Sequence, residues 1–125
     1  MSRHPIQRSY GTKLMSVLCG LNEADNIATM LIDTGATFCS ITPDVAKMYG
    51  ISPAGQLVEV TGIAGKLVAP ECVIDIWIGD HLERNVRCLI MPMSRRENAC
   101  GVIGMTLLER LDFMLTGREM TIFKR

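Results

Sequence analysis

The chain has no excess of charge of either sign: thirteen Lys and Arg balance thirteen Asp and Glu. A nucleic-acid surface needs a basic stripe, so no nucleic-acid partner is expected. No apolar run is long enough to span a membrane, although apolar residues make up 48% of the sequence. The opening stretch, Met1 to Arg8, lacks the apolar centre of a signal peptide, which points to a cytoplasmic protein. Histidines are only two, His4 and His81, and they stand apart. The five cysteines are odd in number, widely spaced and without a C-x-x-C pair, so no metal and no disulfide framework is expected. Free thiols suit a reducing compartment. Aromatics are scarce at 5%, whereas Met occurs nine times, for the most part as core filler. The length and apolar content fit one folded domain over residues 1–125, with about 1–12 as a flexible N-terminal segment.

Short apolar runs between turn residues fill most of the chain. Residues 13–21 read as a strand, 22–26 as a turn, and 27–32 as a nearly unbroken apolar strand. Residues 37–41 form another extended piece. Thr42-Pro43-Asp44 then opens a helix: Thr can cap, Pro fits the first position and Asp suits the positive end of the dipole. Gly50 stops it. Two short runs, 57–61 and 66–69, flank Gly62-Ile63-Ala64-Gly65, a hairpin tip with glycine at both ends. Strands follow at 71–78 and 86–91, then a polar loop at 92–99 containing Arg95, Arg96 and Glu97. A short helix at 105–110 and a hairpin over 111–123 complete an all-β domain with one or two short helices.

Asp33 ends the run 27–32 and begins Asp33-Thr34-Gly35-Ala36, a sequence that occurs once. A carboxylate out of water must be hydrogen-bonded, paired or partly protonated. Glycine beside it permits close approach of backbone or ligand. The stretch therefore reads as a device for holding a carboxyl group at the bottom of a cleft. The same residues would also serve a plain Asx turn.

With Ile32 before the motif, Ala36-Thr37 after it, and Val102-Ile103 ahead of Gly104, the chain resembles the retropepsin-like aspartic proteases. The resemblance runs from about 13 to 123 and is closer to bacterial and cellular members than to retroviral ones. It implies a closed, barrel-like β domain, one lobe per chain. It makes Asp33 the catalytic acid/base, Thr34 the hydroxyl that locks two active-site loops across a dimer, and Gly35 a backbone contact to substrate, with Ala36 completing the loop. Gly62, Ile63, Ala64 and Gly65 correspond to a flap over the peptide. Ile90, Met91, Pro92 and Met93 correspond to a pocket wall, and Val102, Ile103 and Gly104 to the core behind the catalytic loop. Pepsin-like enzymes carry two motifs in two lobes; one motif in a chain this short implies a homodimer acting on peptide or protein substrates without a cofactor.

Thr37 and Met105 stand where many retroviral members carry an acid and an arginine that pair, and their joint absence suggests an apolar substitute. The terminal strand 120–123 can return onto its own hairpin or interleave with a second subunit. The competing reading is a catalytically inactive peptide-binding or dimerisation module with the same fold. An intact Asp33 argues against it, because a scaffold gains from replacing a buried acid.

Overall fold

The computed structural model describes residues 1–8, 15–62, 65–93 and 99–123. Its strands are β1 (Ser2–Pro5), β2 (Gln7–Arg8), β3 (Met15–Leu21), β4 (Ile27–Ile32), β5 (Cys39–Ile41), β6 (Leu57–Gly62), β7 (Gly65–Ile78), β8 (His81–Ile90), β9 (Gly101–Ile103), β10 (Asp112–Leu115) and β11 (Glu119–Phe123). Two short helices, α1 (Pro43–Met48) and α2 (Met105–Leu108), join them.

Six strands close on themselves in the order β3-β4-β9-β5-β8-β7, with β7 returning to β3. The nearly unbroken apolar sequence of β4 suits its place inside this barrel, between β3 and β9. β9 runs parallel to β4 (Ile32 opposite Ile103) and antiparallel to β5 (Ser40 opposite Val102). The interior is filled by Leu21, Met30, Ile41, Ile74, Ile76 and Ile103, and capped by Leu107 and Leu108 of α2, none more than 1% exposed. Of the nine methionines only Met30 and Met120 are buried, while Met1, Met48, Met105 and Met114 are exposed. Core filling is thus the lesser use of Met here, because most of these residues fall at helix ends or on outward strand positions.

α1 forms for the reasons its sequence gives. The Thr42 hydroxyl accepts from the Val45 N–H at 3.3 Å, Pro43 takes the first turn, and Gly50, at φ +66°, ends the helix. β7 is longer than expected and continues through Pro70. It pairs with β6 over 65–70 and with β8 over 71–78, so the proline sits where the strand changes partner. A missing N–H is tolerated there. β8 begins at His81 rather than at 86, directly after the turn at Gly79, φ +59°. Polar residues and a register shift between Ile74 and Ile76 hide the alternation in its first half.

β1, β11 and β10 form a separate three-stranded sheet in that order. The N-terminal segment read as flexible therefore contributes ordered strands at 2–5 and 7–8, because β11 offers a free edge on the side away from β10. Both edges of β11 are occupied within its own chain, by β1 and β10. All five cysteines are free thiols. Burial pushes the Cys19 and Cys39 thiols up, so they stay protonated and act as small apolar filler. Residues 13–14, Ile63, Ala64 and the loop residues Arg95, Arg96 and Glu97 lie outside the described residues.

Candidate active site

Asp33 leaves the barrel where β4 ends. Its N–H donates to Ile103 O at 3.0 Å, the last bond of the β4–β9 ladder. The chain then turns. Asp33 Oδ1 accepts from the Gly35 N–H at 2.9 Å, and the Ala36 N–H donates to Asp33 O at 3.2 Å. The Asx turn and the candidate catalytic loop are the same structure: the side-chain bond that makes the turn also fixes the carboxyl group. The carboxylate is exposed in the single chain, as are Thr34 and Gly35. This corrects the expectation of a buried acid. The turn begins where β4 ends, and its first three residues are exposed among the described residues, so the burial argument against an inactive module does not hold for one subunit.

The far half of the loop is tied down by α2. Met105 N–H donates to Ala36 O at 2.8 Å and Thr106 N–H to Thr37 O at 3.0 Å. The Thr106 hydroxyl accepts from Cys39 N–H at 3.0 Å and donates to Arg87 O at 2.9 Å, joining α2, β5 and β8 in one bond chain. The backbone bonds here join Met105 to Ala36 and Thr106 to Thr37, and Met105 is 37% exposed. Gly104 makes this approach possible. A Cβ there would lie 2.3 Å from Phe38 O and 2.8 Å from Ala36 O, both backbone atoms. The Arg87 guanidinium lies 5.3 Å from the centre of the Phe38 ring and grips Glu71 with two bonds of 2.7 and 3.1 Å. That pairing holds the Glu71 carboxyl below its ordinary range.

Beside the loop lies a cleft of about 370 Å³. One wall is Gly35, Ala36, Thr37 and Phe38; the opposite wall is Glu59, Val60 and Thr61 of β6; Ser40, Leu89, Met91 and Val102 line the remainder. Strand alternation sorts the expected wall residues. Leu89 and Met91 face the cleft, whereas Ile90, one residue out of phase, packs in the core with Cys88. Ile90 is thus not a wall residue, and Pro92 and Met93 are not among those lining the cleft. The segment assigned to the loop support divides in the same way: Ile103 is in the core, Gly104 meets the loop backbone, and Val102 faces the cleft. Gly62 and Gly65 pair at the end of the β6–β7 arm, and Gly65 has φ +112°. Sequence reasoning missed Glu59, Ser40 and Leu89 in the cleft and Thr106 and Arg87 behind the loop. Period-two alternation outward from Met91 would have found Leu89. The others depend on pairings between strands distant in the chain.

The family model described as aspartyl protease matches residues 19–107, most of the chain. The chain belongs to the aspartyl protease family. Two solved structures show the same fold. A retropepsin-like aspartic protease from Rickettsia conorii matches with a TM-score of 0.69 and 17% identity, over 98% of this chain and 90% of that one. The EIAV protease in complex with the inhibitor HBY-793 matches with a TM-score of 0.61 and 15% identity, over 83% of this chain and 93% of that one. No curated protein matches the chain. The family's namesake residue type is present once in the expected setting, as Asp33 at the end of a barrel strand, on a braced loop beside a cleft. Among the described residues no group of three His, Cys, Asp or Glu is placed to hold a metal ion, and no helix is long and apolar enough to cross a membrane.

Proposed function

We propose that this protein is an aspartic endopeptidase that works as a homodimer, each subunit contributing Asp33 to one catalytic dyad. The observation that carries this reading is the Asp33 carboxylate itself, fixed by the Gly35 N–H at 2.9 Å and exposed at the start of the loop whose next residues, Gly35 to Phe38, line the cleft. One carboxyl group cannot both take a proton from water and polarise a carbonyl. Two that share a proton can: the ionised one deprotonates the attacking water, and the protonated one polarises the scissile carbonyl and later supplies the amine with its proton. Their closeness keeps both from ionising together, a pairing for which aspartic proteases are the standard example, and the titrations belong to the pair. Exposure of Asp33, Thr34 and Gly35 in one chain leaves these residues accessible to the same loop of a second copy. In this reading Thr34 locks the two loops, Gly35 and Ala36 meet the substrate backbone, and the arm ending in Gly62, Ile63, Ala64 and Gly65 closes over an extended peptide. The Met91, Leu89 and Val102 surfaces favour apolar side chains around the scissile bond.

The test is cleavage of casein across pH and across a dilution series, with Asp33→Asn in parallel. Wild type should show a bell-shaped, mildly acidic profile, since Ala36 supplies no hydroxyl to stabilise an ionised dyad. Specific activity should fall on dilution as the dimer dissociates. Asp33→Asn should lose about a hundredfold to ten-thousandfold of the rate, the range general acid–base groups supply, while keeping its fold by circular dichroism. Full activity in the variant, or in a demonstrated monomer, would refute the dyad. Peptide binding without cleavage by wild type at any pH would favour the inactive-module reading.

A further inference from the structure

Among the described residues the cleft is lined by one ionisable side chain, Glu59, with apolar groups and the hydroxyl residues Thr37, Ser40 and Thr61. Glu59 lies on β6, the wall across from the candidate catalytic loop. Its partner is Lys66 of β7, at 3.3 Å, in a pair whose side chains are 73% exposed for Lys66 and 56% for Glu59. So open a pair contributes little to stability, and Lys66 is not among the residues lining the cleft. From these observations we infer that Glu59 is a specificity residue that selects a lysine or arginine side chain in the peptide lying under the arm.

The physical argument has three parts. A peptide occupying this cleft strips water from its walls, and a carboxylate losing water favours a ligand that brings a positive charge with it. Among the described residues the remaining lining carries no cation that could meet that need from within. Lys66 can share or release the carboxylate at small cost because its own pairing is weak and solvated. A basic side chain is also long enough to lay its methylene stem along apolar lining such as Val60 while its head reaches the acid. The selection acts beside the scissile bond, not at it. The inferred substrate is therefore an extended segment with apolar residues at the cut and one basic residue at the subsite facing β6.

This inference rests on the proposed peptide-binding role of the cleft, so its test separates binding from cleavage. Decapeptides identical except for Lys, norleucine or Glu at one position are scanned along the sequence. Affinity is read by fluorescence anisotropy on the Asp33→Asn protein, and cleavage by mass spectrometry on wild type. At one position the Lys peptide should bind about threefold to fivefold better than the norleucine peptide, as expected of a partly solvated ion pair. The ratio should shrink as salt is raised. Glu59→Gln should bring the ratio to about one, Glu59→Lys should turn the preference toward the Glu peptide, and Lys66→Met should increase the Lys preference. An unchanged ratio in Glu59→Gln, no position with a Lys preference, or no measurable binding would each overturn the assignment. Glu59-dependent binding without cleavage by wild type would instead sink the endopeptidase reading and leave the selectivity standing.

Discussion

Loop 33–38 and the arm formed by β6 with the first half of β7 face the same cleft, yet they are held in different ways. The loop is bonded to β9 through Asp33, to α2 through Ala36 and Thr37, and onward through Thr106 to β5 and β8. Residues on its support, Cys39, Ile103, Leu107 and Leu108, are essentially inaccessible to solvent. Among the described residues the arm pairs only within itself: β6 bonds to β7 and to no other strand, and Leu57, Leu67 and Val68 are exposed. On the proposed function, the loop's carboxyl must be held to a fraction of an ångström, whereas the arm must open and close over substrate. One wall therefore has cross-links to the core, and the other has a hinge-like length of two-stranded ribbon. This comparison predicts that damage behind the loop costs stability, and damage in the arm costs turnover.

The largest effect should come from Gly104→Ala. The added Cβ meets backbone at 2.3 Å and has no flexible side chain to push aside. Separating α2 from the loop should cost about 3 kcal/mol or more, the upper end for overpacking, read as a lowered denaturation midpoint with parallel loss of activity. A variant as stable as wild type would mean that the loop is not held by this contact. Next is Thr106→Val, which keeps the shape and removes the hydroxyl shared by Cys39 N–H and Arg87 O. Leaving both groups without that partner should cost about 1–2 kcal/mol, and Thr106→Ser should restore it. Equal losses in Ser and Val would place the role in packing instead.

What the sequence revealed and what it hid follow the same division between local and distant determinants. The Asp33 turn, the α1 cap and the glycine-ended arm are written in three or four consecutive residues, so their chemistry could be read directly. The barrel's all-β character was equally visible from its short apolar runs. β9 was not recognised as a strand: three residues have too little periodicity, and its identity comes from partners about seventy residues away in β4 and about sixty away in β5. Pro70 read as a break because a proline usually ends a strand, and only the exchange of partners from β6 to β8 explains why β7 runs on. The expected burial of Asp33 was an inference from the apolar run before it. That run ends one residue too soon: Ile32 is buried and Asp33 is already outside. The brace of Thr106, Arg87 and Glu71 has no local signature at all.

On the arm, Gly65→Val tests the other side of the comparison. Nothing lies within 4 Å of a Cβ at this position, so the side chain has room, but φ +112° is poorly tolerated by a β-branched residue. The strain, about 1–3 kcal/mol, falls on a ribbon that can distort without disturbing the barrel. Turnover should drop by about tenfold, or ~1.4 kcal/mol of barrier. The melting temperature should move by less than about 3 °C, the shift that roughly 0.5–1 kcal/mol gives in a domain of this size. Proportional losses in turnover and stability would erase the distinction between the walls.

The smallest effect concerns Arg87 and Glu71, the outermost part of the loop's support. Arg87 lowers the Glu71 carboxyl below its ordinary value of 4.5, chiefly through the two hydrogen bonds it donates, so the ionised form is the one the fold prefers. A carboxyl depressed in the folded state contributes its stability above the ordinary value and loses it as the pH falls through the depressed one. Through the neutral and mildly acidic range proposed for activity, Arg87 therefore stays fixed over Phe38. The Arg87 side chain is 56% exposed and that of Glu71 13%, and with one partner this open the contribution should be slight and sensitive to salt. Glu71→Gln should lower the melting temperature by a small and constant amount from neutral pH down to about 4.5, and the difference from wild type should vanish at more acid pH. A gap that instead widened toward acid would show that Glu71 acts through something other than its charge on Arg87, and the loop would then have one support fewer than its geometry indicates.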